Sequence, residues 1–100
     1  MRKVIFMYNY RYYDKGLKSL PNDIPKYVDG GFYCQYNKLT SLQGAPKCVG
    51  DDFSCINNNL TSLQGAPKYV GGDFWCHNNT KKFTEKEVRA VCNVKGVVYV

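Results

Sequence analysis

Polar and apolar positions alternate in short segments along this chain, and the segments recur at a fixed interval. Residues 53–56, FSCI, alternate with a period of two, which predicts a β-strand with Phe53 and Cys55 facing the core. Residues 39–59 and 60–80 are copies of each other that differ at only five of 21 positions. A repeat of this length predicts a solenoid, because each coil buries its apolar side chains only by stacking on its neighbours.

A degenerate third copy precedes these two and begins 22 residues before Leu39. It retains the apolar, proline, lysine and asparagine positions of the other copies at Leu17, Leu20, Pro25, Lys26, Val28, Phe32, Cys34 and Asn37. We therefore expect three repeats over residues 17–80, with residues 1–16 as an N-terminal cap and residues 81–100 as a C-terminal cap. Because 100 residues suit one core, we expect residues 1–100 to form a single domain.

Stacking of the coils should place equivalent side chains in columns. The phenylalanines and cysteines are predicted to fill the core, and each asparagine to bond backbone groups of its own and the adjacent coil. Neighbouring parallel strands lie about 4.8 Å apart, but their parallel Cβ vectors are poorly directed for a disulfide, so we expect reduced cysteines. The columns are Phe32, Phe53 and Phe74; Cys34, Cys55 and Cys76; and Asn37, Asn58 and Asn79.

The segments that return from one strand to the next are predicted to be extended or irregular. Glycine and proline in the repeated QGAP phrase exclude a long helix there. We expect one tight turn over residues 39–42, with Leu39 and Leu42 facing inward. Alanine and valine, as in Ala45 and Val49, should fill the narrowing core.

Both ends of the chain carry signals for caps. Thr84 and Glu87 have capping-box spacing, which predicts a short helix over about residues 85–92 with Val88, Val91 and Cys92 inward. The apolar residues 97–100 should add a strand to the parallel sheet. The β-prone residues 4–13 should cover the first coil.

Three segments share a pattern of apolar residues followed by asparagine: FYCQYNKL at 32–39, FSCINNNL at 53–60 and, departing at its last position, FWCHNNTK at 74–81. This pattern resembles the leucine-rich repeat family. The resemblance implies an α+β repeat solenoid, a short leucine-rich repeat with a parallel β-sheet on one face. It also implies an irregular convex side, and the helix and strand expected from residues 84–100 would form the C-terminal cap of this solenoid.

The resemblance extends more narrowly to short leucine-rich repeat proteins of tailed bacteriophages. The phrases that carry it are LTSLQGAPK, VGGDFWC and FTEKEVRAVCNVKG. It implies that the partner is a bacterial host protein, such as a component of host defence, and that binding inhibits this protein by occlusion. The cytoplasm of the host cell is then the expected location.

Composition and motifs limit the classes of function that are expected of this chain. The formal charge of +6 favours acidic partners without identifying one. No apolar run reaches the roughly 20 residues of a membrane-spanning helix, and residues 1–13 contain no signal-peptide core.

With one histidine, His77, and no repeated nucleophile or acid, we expect a non-enzymatic protein with no cofactor and no metal. Asp51, Asp52 and Asp73 precede the strands, where we expect them to serve turn hydrogen bonds.

The differences between the two close copies indicate where binding could occur. They fall at Cys48/Tyr69, Asp51/Gly72, Ser54/Trp75, Ile56/His77 and Asn59/Thr80. Core positions are identical, whereas two of the differing pairs lie on the outward face of the strand. We therefore expect a protein-binding surface at Tyr33, Gln35, Ser54, Ile56, Trp75 and His77, since exposed Trp and Tyr commonly dominate interface energy. The alternative is an ordinary solvent-exposed surface.

A second candidate surface is basic. Lys26, Lys47 and Lys68 occupy the same slot of successive coils and should form a column on one edge. Such a column could bind the phosphates of a nucleic acid or nucleotide, with tyrosine or tryptophan stacking on the bases. The other interpretation is a solvated edge. The sequence leaves the oligomeric state open.

Overall fold

Each coil of the chain contributes one short strand to each of two parallel sheets. The computed structural model describes residues 8–100, and within them the chain forms a solenoid of about four turns. The first sheet has the order β1-β3-β5-β7-β9, with strands Tyr10–Arg11, Phe32–Tyr33, Phe53–Ser54, Phe74–Trp75 and Val98–Tyr99. The second has the order β2-β4-β6-β8, with strands Tyr27–Val28, Cys48–Val49, Tyr69–Val70 and Asn93–Val94.

This architecture confirms the predicted repeat solenoid with a parallel sheet on one face, a C-terminal helix and a final strand. The return side is irregular apart from the second sheet, which the sequence analysis did not identify. Each of these strands has a single buried residue, such as Val49 in Cys48–Val49, whereas the first sheet has an alternating buried pair, such as Phe53 and Cys55, so the sequence shows no alternation in the second sheet. The second sheet becomes visible only when the coils are stacked.

The phenylalanine column forms the centre of the core. Phe32, Phe53 and Phe74 are all 0% exposed, and adjacent ring centroids lie 5.8 Å and 5.0 Å apart. Burial of one such side chain contributes about 2–3 kcal/mol. At the N-terminal end Tyr12 extends the column, with its ring centroid 5.6 Å from that of Phe32. Of the segment predicted to cover the first coil, Tyr10 and Tyr12 pack against the core, Tyr8 and Tyr13 are exposed, and residues 4–7 lie outside the described part of the chain.

The cysteine column is buried and reduced, as predicted. Cys34, Cys55 and Cys76 are free thiols, and the Cys34 Sγ donates to the carbonyl of Ser54 in the next coil at 3.2 Å. Burial raises the pKa of the Cys34 thiol to about 12 and that of Cys76 to about 11. These thiols are therefore protonated at neutral pH, and they serve as small apolar core residues.

The asparagine column connects the coils, as predicted. The Asn58 side-chain amide donates to the carbonyls of Cys34, Cys55 and Ile56, and its Oδ1 accepts from the backbone N–H of Leu39. Asn37 and Asn79 make equivalent bonds in their own coils, to Cys34 and Cys76 among others. Each amide thus satisfies backbone groups of two coils at the point where the chain turns.

The tight turn in the segment that returns from one strand to the next lies later in the chain than predicted. Leu39 and Leu42 are fully buried as expected, but the turn spans Leu42 to Ala45, whose N–H donates to the Leu42 carbonyl at 3.0 Å. Gly44 has a φ of +93°, a conformation that glycine adopts without a steric penalty. The turn therefore forms at the glycine and not at the preceding leucines.

The C-terminal cap agrees with prediction except at Val91. Helix α1 spans Glu85–Val91, and its capping box joins Thr84 and Glu87. Val88 is buried, but Val91 is 40% exposed, so its predicted inward orientation is wrong. Val88 and Cys92 are four residues apart and share the face that contacts the core, whereas Val91 lies about 100° from Cys92 around the helix axis. Strand β9 pairs in parallel with β7, as predicted.

Candidate functional site

The outward side chains of β3, β5 and β7, together with Tyr99 of β9, form one surface, here called the strand face. The strand register places Tyr33, Ser54, Trp75 and Tyr99 in a single row across the sheet. The predicted residues Gln35, Ile56 and His77 follow two positions later, just beyond the ends of these strands, and backbone bonds between the coils continue there. The structure thus brings the six predicted residues together.

Five of these six residues are partly exposed, but the predicted exposure of Ser54 is wrong. Ser54 is 4% exposed because its short side chain lies between the much larger Tyr33 and Trp75 on the neighbouring strands. The sequence pattern assigned the correct side of the sheet to Ser54. It could not predict how far the flanking side chains cover it.

An aromatic stack lies at the C-terminal side of the strand face. The rings of Trp75 and Tyr99 are stacked, with centroids 3.8 Å apart and planes inclined by 15°. The His77 ring lies edge-on to Trp75 at 6.3 Å. Tyr99 was not among the predicted site residues. The alternation in VVYV places Tyr99 on the outward side only when the register of β9 is known, and the sequence does not give that register. The stack fixes the indole on a rigid sheet.

Tyr33 lies against the backbone of its own strand. A Cβ built on Gly31 would approach the Tyr33 hydroxyl to 2.5 Å, so the ring occupies the space that a side chain at position 31 would need. Burial, followed by the charges of Asp52 and Asp51, raises the pKa of the Tyr33 hydroxyl. The phenol therefore stays protonated and close to these carboxylates.

Two of the predicted turn aspartates bond backbone groups, but these groups belong to the next coil and not to the aspartate's own turn. The Oδ1 of Asp52 accepts from the N–H of Asp73 at 2.8 Å, and the Oδ1 of Asp73 accepts from the N–H of Val97 at 2.8 Å. Both residues precede a strand of the first sheet, so their carboxylates border the strand face. The strand face therefore has an acidic margin where its strands begin.

Tyr36 is a further candidate that the sequence analysis missed. It has a φ of +58°, as do the equivalent Asn57 and Asn78 at +53° and +59°, yet its side chain is 57% exposed. Asparagine adopts this left-handed conformation more readily than tyrosine does, and exposure leaves little packing to offset the strain on Tyr36. A signal was present in the sequence, because the other two copies have asparagine at this position.

Replacing Tyr36 with asparagine is expected to raise the free energy of unfolding by about 1 kcal/mol, because asparagine relieves the left-handed strain. Urea denaturation followed by circular dichroism measures the change. Asn57→Tyr is the converse variant and should destabilise the protein by a similar amount. Unchanged stability in Tyr36→Asn would show that packing of the ring compensates for the strain.

The predicted lysine column is present, and its residues immediately precede the strands β2, β4 and β6 of the second sheet. The N–H of Lys47 donates to the carbonyl of Lys26, and that of Lys68 to Lys47, each at 2.8 Å. All three side chains are exposed. Within residues 8–100 the only ion pairs are Lys81–Glu87 and Arg89–Glu85, so no described carboxylate neutralises the column.

Residues 8–100 contain no group of three His, Cys, Asp or Glu side chains placed to hold a metal ion. They contain no helix long and apolar enough to cross a membrane. No protein-family model, curated protein or solved structure matches the sequence or fold of this chain.

Proposed function

We propose that this protein is a non-enzymatic, leucine-rich-repeat-like module that binds another protein through its strand face. The observation that carries the proposal is the Trp75–Tyr99 stack, a large aromatic surface held on a rigid sheet beside Tyr33, Ile56 and His77. Aromatic side chains on a rigid scaffold lose little conformational entropy when they bind, and they commonly supply most of the binding energy.

The proposal includes a biological setting that rests on the sequence resemblance alone. In this setting the chain is a bacteriophage protein that acts in the host cytoplasm. Its partner is a bacterial host protein, such as a defence component, that is inhibited because its surface is covered. A small module without catalytic groups would act in this way, by occupying a surface.

Combining Trp75→Ala with Tyr33→Ala is expected to weaken binding to the partner by at least about 100-fold, because aromatic hot spots commonly contribute 2–4 kcal/mol each. Wild-type protein immobilised on beads, exposed to bacterial lysates and analysed by mass spectrometry, identifies the partner. Calorimetry with the purified partner then gives the dissociation constants. Circular dichroism verifies that the variant is folded.

The matched control is Lys26→Ala combined with Lys68→Ala, which removes two exposed side chains from the other surface. This control should change the dissociation constant less than about threefold if the strand face is the interface. Equal binding by wild type and the aromatic double variant would refute the strand face as the interface.

A second candidate function is polyanion or nucleotide binding through the lysine column, and the unneutralised alignment of Lys26, Lys47 and Lys68 favours it. The two functions respond differently to salt. Binding through phosphates weakens steeply as salt rises, whereas an aromatic-centred interface responds weakly. In the same experiment, loss of binding in the lysine variant together with steep salt dependence would support this second function.

A further inference from the structure

Three adjoining cavities follow the side of the solenoid that the return segments form. The first, of about 300 Å³, and the second, of about 360 Å³, share Lys47 and Gly65 in their linings. The second and the third, of about 330 Å³, share Leu63 and Val91. The three cavities thus form one continuous groove, here called the return groove, which crosses successive coils and ends beside helix α1. No residue of the strand face lines this groove.

Apolar side chains form the floor of the return groove where it meets α1. Leu42 is fully buried because the next coil covers it, and the Gly65 turn of that coil lies against its backbone. Leu63 is the equivalent residue one period later, but the chain after it forms α1 in place of another glycine turn, and Leu63 stays partly exposed. Val91 lines the same two cavities and is 40% exposed, more than any other valine, leucine or isoleucine in residues 8–96. The helix therefore leaves an apolar patch uncovered.

The rim of the return groove is basic. Lys26 and Lys47 line the first cavity, and Lys47 and Lys68 line the second. Backbone hydrogen bonds hold successive lysines one strand spacing apart, about 4.8 Å between their Cα atoms. No aspartate or glutamate lines these two cavities, and Glu87 in the third is paired with Lys81 at 2.9 Å. The groove thus presents unneutralised positive charge next to apolar surface.

We infer that the return groove is a second binding site, separate from the strand face, for an acidic peptide segment of a protein. Carboxylates of the segment pair with Lys26, Lys47 and Lys68, and an aliphatic side chain of the segment covers Leu63 and Val91. The charge of the rim determines the sign of the ligand, and the uncovered apolar floor favours a ligand that also has apolar side chains. Exposed lysine–carboxylate pairs are individually weak, so binding requires both parts.

This inference goes beyond the proposed function and does not depend on it. The return groove uses no side chain of the Trp75–Tyr99 stack, so the two surfaces can be occupied at the same time.

Phosphate polymers match the return groove less well. A polyphosphate pairs with lysines but has no apolar group to cover Leu63 and Val91. A nucleic acid binds such a groove best where aromatic side chains stack on its bases. No aromatic side chain lines the first two cavities, and Phe83 in the third is only 3% exposed. The geometry therefore favours a peptide in this groove.

The test uses the blocked peptide GEELEEG and the full chain labelled with ¹⁵N. The backbone N–H signals of Gly44 and Gly65 report on the groove, and the indole N–H of Trp75, the only tryptophan, reports on the strand face. We expect the peptide to shift both glycine signals saturably, with half-saturation at roughly 1 mM in low salt, and to leave the indole signal unchanged. The matched peptides GQQLQQG, without the charges, and GEEGEEG, without the aliphatic side chain, should each bind at least about fivefold more weakly.

Lys47→Gln combined with Lys68→Gln removes the two lysines of the second cavity. This variant should bind GEELEEG about tenfold more weakly, because it loses two ion pairs and part of the attraction to the acidic peptide. The matched control, Lys18→Gln combined with Lys38→Gln, removes the same charge from exposed side chains that line none of the three cavities. It should bind within about twofold of wild type. Urea denaturation should show equal stability in both variants, since none of these four lysines forms a described ion pair.

Four results would overturn the inference. They are no saturable shift of the glycine signals, equal binding of GEEGEEG, unchanged binding in the Lys47→Gln/Lys68→Gln variant, and tighter binding of tripolyphosphate or a thymidine oligonucleotide than of GEELEEG at equal ionic strength. The last result would support the polyanion function of the lysine column instead.

Failure of the return groove differs from failure of the proposed function. The Trp75→Ala/Tyr33→Ala variant should lose the protein partner of the strand face and still bind GEELEEG. Loss of that partner in the aromatic variant, together with no peptide binding by the wild type, would leave the strand face as the interface and refute the return groove.

Discussion

Replacing Asn58 with alanine is expected to lower the free energy of unfolding by about 3–4 kcal/mol, a large part of the stability of a domain of this size. Asn58 is 6% exposed and makes four hydrogen bonds to backbone groups. The N–H of Leu39 loses its partner outright, since it donates to Asn58 Oδ1. The carbonyls of Cys34 and Cys55 each retain another amide donor, so their loss is smaller.

The matched control is the next residue in the chain, Asn59. Its side chain is exposed and makes no hydrogen bond among the described residues, so Asn59→Ala should change stability by less than about 0.5 kcal/mol. Urea denaturation of both variants, followed by circular dichroism, gives the comparison. Similar losses in the two variants would show that the asparagine column does not hold the coils together.

Gly65→Ala is expected to cost at least about 3 kcal/mol and to cost clearly more than Gly44→Ala. Both glycines lie in the same phrase, LTSLQGAPK, and both have positive φ, +87° for Gly65 and +93° for Gly44. A Cβ on Gly65 would approach the backbone N of Gln43 to 2.4 Å, whereas one on Gly44 would come no closer than 3.5 Å to Pro21. Gly44→Ala therefore carries only the conformational penalty, about 1–2 kcal/mol.

The pair of glycine variants separates two physical effects. Gly44→Ala measures the strain of a left-handed alanine, and the additional loss in Gly65→Ala measures how firmly one coil is held against the next. The midpoint of thermal or urea unfolding measures both. Equal losses would mean that the coils move apart easily, and the rigid stacking that the strand face requires would then be wrong.

Several features of the strand face and of the chain that directly follows it lower stability locally. Tyr36 adopts a left-handed conformation while exposed, and two oxygens, on Gln35 and Ser54, are buried without partners. Such unfavourable features commonly concentrate at functional sites, where binding offsets them. Tyr36 directly follows Gln35 in the chain, and this closeness in sequence supports the proposed binding surface and suggests that stabilising substitutions there would reduce binding.

The sequence by itself determined the framework of this protein. Its 21-residue period required stacked coils, and the alternation of apolar and polar residues assigned Phe53 and Cys55 to the core and Ser54 to the outward side. The spacing of Thr84 and Glu87 identified the start of the helix. These signals are local or periodic, and they depend on geometry that every strand or helix shares.

Only the tertiary structure decided what depends on the neighbouring coil. It covered Ser54 between two aromatic side chains, stacked Tyr99 on Trp75, exposed Val91 and distinguished Gly65 from Gly44 although their sequence contexts are identical. The exposure of a side chain and the space beside a glycine are set by residues about 20 positions away in sequence. The sequence pattern within one coil contains no information on the distances between its side chains and those of the neighbouring coils.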